Sequence, residues 1–406
     1  MNILFLTTAP KKAQKMNRDV ALAFYNHGQN VYIVCPGDED NSVNTDFVNI
    51  DGMNYLFVNS ERTTGKIGIV KKVKNFLLTD SIYISALKKV TVPGGIDLVL
   101  YSTPPITLVN TVIWAKKKYG AKSYLMLKDI FPQNAVDMGM MKKNGIMSVV
   151  YKYFRKKEKK LYLNSDYIGC MSNANKKYIL KNNPELKENN TGLCVNSYAY
   201  EPLLAIDKNE VRREFNLPQD KIVFLYGGNL GKPQGLQYFV EVMKENMNKE
   251  DRYFLICGGG NDQKRIDDFI EKEKPQNVRF LSILPPDDFD RLSRACDVGL
   301  VFLDNRFTIP NFPSRMLSIM LNEMPILAAT DVNTDVGDVI ADGDMGWWCE
   351  SKEASDFCVL LDTICSNPDV IKEKGKNARI YYEKNYTTET AYNQIIDGLN
   401  KIGLKF

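Results

Sequence analysis

The amino-acid sequence predicts an α/β protein built from two doubly wound, Rossmann-like domains. Three observations lead to this fold class. The chain has 406 residues, which is enough for two or three domains. Short apolar runs alternate with helical patterns, and the alternation comes as two successive series. The runs are unbroken and do not alternate with polar residues, which is typical of parallel strands covered on both faces.

The first series lies in the N-terminal half. Its strand-like runs are NILFLTT (2–8), NVYIVCP (30–36), IDLVLYS (96–102), SYLMLKD (123–129) and YIGCM (167–171). Helical patterns separate these runs, as expected for βα units whose crossover helices cover the sheet.

The second series begins after about residue 200. Its runs are KIVFLYGG (221–228), RYFLICGGG (252–260), NVRFLS (277–282), DVGLVFL (297–303) and PILAAT (325–330). The joint between the series falls near CVNSYAYEPLLAIDKNE, residues 194–210. We therefore expect one domain at 1–196 and a second at 197–384.

Composition excludes several classes of protein. Hydrophobic residues make up 44% and charged residues 25%, as in ordinary globular chains. No apolar run is long enough to span a bilayer, and the N-terminus lacks the pattern of a signal peptide. Eight scattered cysteines without a CxxC pair indicate a reducing cytoplasm and argue against disulfides or structural zinc. His27, the only histidine, lies in a helix-to-strand turn and is expected to be structural.

The net charge of +4 hides an asymmetry. Residues 1–200 carry 28 basic and 15 acidic residues, whereas residues 201–406 carry 25 and 34. Two segments, 66–78 and 141–162, interleave lysines with apolar residues. Such segments resemble interfacial helices on anionic lipid, although a solvated helix face explains them equally well. Nucleic acid is a weaker alternative because no recognised binding motif accompanies the charge.

Candidate ligand residues follow the second-series strands, since parallel sheets of this kind bind ligands at their carboxyl ends. Glycines there allow backbone to approach a phosphate, and lysine or arginine adds charge. The loop 307–330 contains Pro310, Pro313 and Ser314-Arg315 before an apolar helical run, which suits either an ordinary connection or an anion site. The candidates are Gly228, Asn229, Lys232 and Gln234 (segment 226–235), Gly258 (257–262), Ile283 and Leu284 (280–288), and Asn311, Ser314, Arg315 and Ser318 (307–330).

Several segments in this order resemble the retaining glycosyltransferases of family 4, which have the GT-B fold, and more narrowly their capsule and O-antigen branch. They are the segment from STPPITL to AVDMG (102–139), YIGCMSNANKKYIL (167–180), GNLGKPQGL (228–236), FLICGGG (254–260), ACDVGLVFL (295–303), PSRMLSIM (313–320) and MPILA (324–328). The resemblance implies two domains facing a central cleft. The first binds the acceptor, the second binds the nucleotide-sugar donor, and a C-terminal helix at 385–406 packs back on the first.

The resemblance also assigns roles to residues. Lys232, Ser314 and Arg315 hold the donor diphosphate, the base lies against 282–286, and Lys232, Arg315 and Asp129 form the catalytic set. Asp129 could orient the sugar or the acceptor hydroxyl; otherwise it is a helix cap or an ion-pair partner of Lys128. Lys11, Lys12, Lys128 and Asp129 are assigned to the acceptor side.

The chain departs from the family pattern at several positions. Asn229 and Gln234 stand where the broad family has an arginine and a lysine, so Lys232 must help with the diphosphate. Pro310 and Ser318 stand in place of two glutamates. Residues 9–15, APKKAQK, replace a glycine pair.

The expected activity is transfer of a sugar from a UDP- or GDP-linked donor to a saccharide acceptor on polyprenyl diphosphate. The enzyme would act as a peripheral protein on an anionic membrane at the cytoplasmic face, with no metal, cofactor or nucleic acid. Two alternatives stay open: a GT-B epimerase of nucleotide sugars, and a non-catalytic nucleotide-sugar-binding relative. The scarcity of histidine counts against the first, and the missing glutamates keep the second open.

Overall fold

The structure is a computed structural model of the chain. It describes residues 1–13, 15–38, 41–60, 69–145, 147–203 and 205–405, with only the backbone described for 69–77. These residues fall into two compact units, one formed by Met1–Ala199 with Thr387–Phe406 and the other by Tyr200–Tyr386. The divisions lie three and two residues after the expected ones.

The strands fall largely where the apolar runs predict them. They are β1 (Asn2–Leu6), β2 (Asn30–Pro36), β3 (Val48–Ile50), β4 (Met53–Val58), β5 (Leu98–Thr103), β6 (Lys122–Leu127), β7 (Tyr167–Cys170), β8 (Thr191–Leu193), β9 (Ile222–Asn229), β10 (Arg252–Gly259), β11 (Val278–Leu281), β12 (Val298–Phe302), β13 (Ile326–Thr330) and β14 (Gly346–Glu350). The strands β3, β4, β8 and β14 lie outside the predicted runs because they contain polar or mixed residues.

The helices connect these strands. They are α1 (Lys15–Asn26), α2 (Ile69–Leu87), α3 (Val109–Tyr119), α4 (Gln133–Asp137), α5 (Met147–Asn164), α6 (Asn173–Asn182), α7 (Lys208–Glu214), α8 (Leu236–Asn246), α9 (Lys264–Glu273), α10 (Pro286–Ala295), α11 (Arg315–Leu321), α12 (Val336–Asp342), α13 (Ala354–Ser366), α14 (Asp369–Asn385) and α15 (Thr388–Lys401). Short 3-10 turns occupy Lys11–Ala13, Ile106–Leu108, Glu188–Asn190 and Lys232–Gln234.

Each unit contains one sheet with the strand order of a doubly wound fold. The first sheet has the order β3-β4-β2-β1-β5-β6-β7-β8, and its described pairs are parallel except for the β3–β4 hairpin. The second has the order β11-β10-β9-β12-β13-β14 and is parallel throughout its described pairs. In both sheets the order reverses beside the first strand of the unit, which creates a topological switch point.

Burial explains why the strands read as unbroken apolar runs. Leu98, Val99 and Leu100 are successive residues that point to opposite faces of the sheet, yet all three are fully buried. The core of the second unit is rich in stacked aromatic side chains, with Phe239 and Phe302 ring centroids 4.6 Å apart. Helices therefore cover both faces, as the sequence predicts.

The C-terminal helix α15 packs on α1 of the first unit. Tyr392 stacks on the His27 ring with a centroid distance of 4.1 Å, and Glu389 lies 3.1 Å from His27 Nε2. The Thr387 hydroxyl caps the helix by accepting a hydrogen bond from Thr390 N. These contacts give the lone histidine a structural role, consistent with the sequence prediction.

Candidate functional site

The switch point of the second sheet lies between β9 and β12. These strands pair only at Phe224–Val298 and Leu225–Gly299. Beyond that pairing they part, and both continue toward their carboxyl ends. Crevices at this position are the usual ligand sites of doubly wound sheets. Most of the candidate donor residues follow these strands, so the fold brings them to one edge of the sheet.

Arg315 is held at this edge by β9. Its guanidinium carbon lies 4.2 Å from the centroid of the Tyr226 ring, a cation–π distance. Its Nη2 donates to the carbonyl oxygen of Asn229 at 3.2 Å, and the Tyr226 hydroxyl donates to the same oxygen at 2.8 Å. The other terminal nitrogen, Nη1, is buried and has no hydrogen-bond partner. The side chain is thus fixed in place with one donor left for a ligand.

Two more candidate residues have buried polar atoms without partners. They are the Gln234 side-chain carbonyl oxygen and the Asn311 Nδ2 group. Buried polar atoms are nearly always paired in native proteins, and unpaired ones need an explanation. A ligand carrying both acceptors and donors, such as a nucleotide sugar, would supply the missing partners at all three residues.

The loop after β9 adds an exposed cation. Lys232 begins a 3-10 turn, and its amine has no bonded partner among the described residues. Gly228 has a φ of 107°, a conformation that favours glycine, and a Cβ there would meet open space. Asn229 contributes its backbone carbonyl to Arg315, so this position acts through its main chain.

The sequence context of Gly258 suggests contact with a phosphate, whereas the structure shows close contact with the backbone of the neighbouring strand β9. A Cβ on this residue would lie 1.9 Å from the carbonyl oxygen of Gly228 on the neighbouring strand. The absence of a side chain is therefore required by the close approach of β10 to β9. A role for Gly258 in phosphate binding stays a prediction.

The expected base-binding segment lies after β11 and next to the end of β10. Ile283 is 75% exposed, and its side chain covers Gly259. Leu284 is half-buried, and the Cys257 thiol contacts the Ser282 carbonyl. An exposed isoleucine beside bare glycine backbone offers an apolar surface on which a flat base could lie.

The helix start at Ser314-Arg315 has two features that bear on the predicted anion site. Helix α11 begins at Arg315 and has only seven residues, so Pro313 lies just outside it. Ser314 occupies the cap position without a side-chain capping bond. Ser318 donates its hydroxyl to the Arg315 carbonyl at 2.9 Å, a local bond within the helix that uses its only side-chain proton.

The sequence reasoning missed Asp331, which follows β13 directly. This side chain is 1% exposed, and its Oδ2 has no hydrogen-bond partner, while its Oδ1 accepts from Asn333 N at 2.9 Å. Burial raises the pKa of Asp331 to about 6. The next residues hold the loop after β12, because Asn333 donates to the Phe307 carbonyl and Thr334 to the Asn311 carbonyl. The sequence signal that could have identified Asp331 is its position as a polar residue directly after a buried strand.

Tyr226 was also missed, because it looks like an ordinary apolar strand residue. Its ring is fully buried and supports Arg315 from a position 89 residues earlier in the chain. Only the tertiary structure brings the two together.

The acceptor-side candidates lie in the first unit, and the amine of Lys128 already has hydrogen-bond partners within that unit. Its amine donates to the carbonyl oxygens of Cys194 at 3.3 Å and Val195 at 3.0 Å. Burial lowers the pKa of Lys128. The amine therefore fixes the segment after β8, and no ion pair to Asp129 forms.

Asp129 follows β6 and has partners on both oxygens. Oδ1 accepts from Ile130 N at 2.7 Å, and Oδ2 accepts from Asn134 Nδ2 at 2.6 Å. Burial nevertheless raises the pKa of Asp129 to about 6. The carboxyl fixes the turn before α4, but the cap position of that helix is Pro132, without a side-chain capping bond. A role of Asp129 toward the sugar or the acceptor stays a prediction.

Lys11 and Lys12 lie in the turn after β1. Lys11 Nζ is 3.7 Å from Asp51 Oδ2 and 5.5 Å from the centroid of the Tyr55 ring, whereas Lys12 is exposed. The Lys11 charge is therefore partly balanced within the unit. An acceptor role for either lysine stays a prediction.

The second basic segment forms an exposed mixed face on α5. Val149, Lys152, Tyr153 and Lys156 are exposed at the i, i+3, i+4 and i+7 spacing of one helix face, and Val149 is 70% exposed. Lys152 and Lys156 bond none of the described residues. The opposite face buries Glu158, Leu161 and Tyr162. Of the basic segment at 66–78, residues 66–68 lie outside the described residues, 69–77 are described by their backbone alone as part of α2, and Leu78 is exposed.

The described residues contain neither a candidate membrane span nor a candidate metal cluster. None of their helices combines the length and apolar character needed to cross a bilayer. They contain no group of three or more histidine, cysteine or acidic side chains that could hold a metal ion. The expectation that the reaction needs no metal stays a prediction.

Comparisons with known proteins agree with this geometry. A family model described as glycosyl transferases group 1 matches residues 207–381, which lie within the second unit. The probable glycosyltransferase WbjE of Pseudomonas aeruginosa is 24% identical over 293 residues, or 72% of this chain and 71% of that protein. The putative colanic acid biosynthesis glycosyl transferase WcaI of Escherichia coli is 22% identical over 199 residues, or 48% of this chain and 46% of that protein.

Solved structures with the same fold cover almost the whole chain. Sucrose-phosphate synthase from Thermosynechococcus elongatus has a TM-score of 0.75 at 14% identity, over 99% of both chains. Anabaena HepE in complex with UDP and glucose has a TM-score of 0.71 at 14% identity, over 98% of this chain and 99% of that one. Together with the two sheets described above, these likenesses establish the GT-B fold. Residues 207–381 match glycosyl transferases group 1, the chain has the GT-B fold, and these findings together support glycosyltransferase activity.

Proposed function

We propose that this enzyme is a retaining glycosyltransferase that moves a sugar from a nucleoside diphosphate to a saccharide acceptor on polyprenyl diphosphate, in the synthesis of a bacterial surface polysaccharide. The observation that carries the donor half is Arg315, held on Tyr226 and Asn229 with Nη1 buried and unpartnered. A diphosphate oxygen is a strong acceptor for a guanidinium, because both groups are charged. The structural neighbour with bound UDP and glucose supports a nucleotide-sugar donor.

In the proposed reaction, the bond between the sugar C1 and the diphosphate oxygen breaks, and the electron pair leaves with the phosphate. Arg315 and Lys232 stabilise this developing charge electrostatically. The acceptor hydroxyl attacks C1 from the face that the phosphate leaves, which retains the anomeric configuration. Its proton passes to the departing phosphate oxygen. This route needs no protein base, cofactor or metal, and it suits a site edge without histidine.

The acceptor half of the proposal rests on the relatives and on α5. WcaI is named for colanic acid biosynthesis. Lipid-linked acceptors are embedded in a membrane, so the enzyme must reach one. The mixed face of α5 combines exposed apolar side chains with unpaired lysines, which fits an interface with anionic lipid. We therefore place the enzyme at the inner face of the cell membrane as a peripheral protein.

The activity test measures release of free nucleoside diphosphate from a panel of UDP- and GDP-linked sugars. The enzyme is incubated with or without membrane extract that carries lipid-linked saccharide. Release only when acceptor is present, with the donor's anomeric configuration kept in the product, supports the proposal. Formation of an epimeric nucleotide sugar without acceptor would instead identify an epimerase. Binding of donor without release under any condition would identify a non-catalytic relative.

The membrane test measures co-sedimentation with neutral and anionic liposomes. Changing Lys152 and Lys156 to Glu should weaken binding to anionic vesicles, since each nearby lysine contributes about 1 kcal/mol. The matched control changes Lys177 and Lys181, two exposed lysines on α6, to Glu and keeps the same net charge. Equal loss in both variants, or equal binding to neutral and anionic vesicles, would contradict a specific role for α5. Activity on a short soluble acceptor should survive in both.

A further inference from the structure

A cavity lies at the amino edge of the second sheet, away from the strand ends that carry the candidate donor site. Its volume is about 450 Å³. It lies next to Asp297, which precedes β12 and whose backbone N–H donates to the Val223 carbonyl at the start of β9. The charged and amide side chains of its lining are Lys208, Arg294, Asp297, Asn322, Glu323 and Lys372. Nothing in the proposed transfer reaction uses this edge.

The charges around the cavity favour an anion. Asp297 is already neutralised, since Lys208 Nζ lies 2.5 Å from its Oδ1 and Arg212 bonds its Oδ2. The same carboxylate accepts from Val223 N at 2.7 Å. Lys372 is exposed and bonds none of the described residues. The lining thus holds more positive charge than its own carboxylates balance.

Asn322 supplies an independent sign of a missing ligand. The side chain is only 5% exposed, and its Oδ1 accepts from Arg294 Nε at 3.0 Å. This bond fixes which end of the amide carries the hydrogens. The Nδ2 group has no partner, although it belongs to a buried residue that lines the cavity. Buried donors are rarely left unpaired, so an acceptor is expected here.

The remaining lining indicates the kind of anion. Ile206, Met324 and Ile371 form an apolar wall. The cavity is larger than inorganic phosphate requires, which leaves space for an organic group against that wall. Lysine and arginine side chains with an amide donor are the usual partners of phosphate oxygens. We propose that this cavity binds a small phosphate monoester, at a site separate from the donor site.

The test is isothermal titration calorimetry of the full chain with glucose 6-phosphate and with inorganic phosphate, at constant ionic strength. Two variants alter the cavity. Asn322→Asp keeps the acceptor for Arg294 but removes the unpaired donor, and Lys372→Gln removes an exposed charge that bonds none of the described residues. Lys376→Gln, an exposed lysine on the same helix outside the cavity, is the matched control. We expect glucose 6-phosphate binding to weaken at least tenfold in both cavity variants and to be unchanged in the control.

A further variant separates this cavity from the donor site. Arg315→Ala should bind glucose 6-phosphate as the wild type does, because Arg315 lies at the opposite edge of the sheet. Loss of binding in Arg315→Ala would assign the phosphate to the donor site and overturn the proposal. Equal binding in the wild type, both cavity variants and the control would indicate an adventitious ion only, and absence of binding to the wild type would also refute it.

Discussion

Arg315 gives the sharpest test of the donor site, because its replacement should affect ligand binding and protein stability differently. In the free protein the side chain stacks on Tyr226 and donates one bond to Asn229, but Nη1 is buried without a partner. Arg315→Ala removes stabilising contacts, a cation–π contact of about 0.5–2 kcal/mol and the bond to Asn229 of about 0.5–1.5 kcal/mol. It also removes an unpaired buried donor that costs about 1–3 kcal/mol. The two effects nearly cancel, so the free energy of unfolding should change by about 1 kcal/mol or less.

Binding of a nucleoside diphosphate should change much more. A hydrogen bond between charged groups contributes about 1.5–3 kcal/mol, so its loss weakens binding roughly ten- to 150-fold. A ligand at 100 times its dissociation constant stabilises the wild type by about 2.7 kcal/mol. At the same concentration the variant should gain only about 0.3–1.4 kcal/mol. Turnover efficiency should fall by a similar factor.

The assay is thermal unfolding with and without UDP or GDP, whichever stabilises the wild type. Arg291→Ala is the matched control, because Arg291 is an exposed arginine of the same unit whose partner, Glu214, is also exposed. The control should keep the full ligand-dependent shift. A full shift in Arg315→Ala would refute the donor assignment. A loss of several kcal/mol in the ligand-free variant would show that Arg315 serves mainly to hold the fold.

Three further predictions test the reasoning about burial. Asp331→Asn should stabilise the protein by up to about 3 kcal/mol near pH 8. The gain should disappear below about pH 4, because the folded-state pKa is raised and the wild-type carboxyl is neutral in both the folded and the unfolded state there. Urea unfolding at the two pH values measures the difference in stability. A difference that does not change with pH would contradict this prediction. Gly258→Ala should cost more than 2 kcal/mol or prevent folding, since its Cβ would lie 1.9 Å from the Gly228 carbonyl; wild-type stability would show that the strands can separate freely. Lys128→Met should destabilise the first unit by about 1–3 kcal/mol by leaving two backbone carbonyls unpaired, and unchanged denaturant unfolding would disprove that role.

Local sequence was sufficient to predict where most of the long central strands lie. Runs such as Leu98–Thr103 and Ile222–Asn229 are apolar throughout because the sheet is covered on both faces. The same reasoning placed the candidate donor residues correctly at strand ends, since carboxyl ends of parallel strands share one edge. The short strands such as Val48–Ile50 were not predicted, because edge strands with polar residues have no distinctive local pattern.

The sequence by itself determined the fold class, the two strand series and the positions of the basic and glycine-rich segments, because these depend on local periodicity and residue type. Only the tertiary structure decided which polar atoms are already bonded. Lys128 and Lys11 look like free cations in the sequence. In the structure, the Lys128 amine donates to backbone carbonyls 66 and 67 residues away, and the charge of Lys11 is balanced by Asp51. Arg315 also looks like a free cation in the sequence, but in the structure its guanidinium stacks on the Tyr226 ring and only its Nη1 group is buried without a partner. Such long-range pairing has no local signal, because it depends on how the folded chain brings distant backbone and side-chain atoms together.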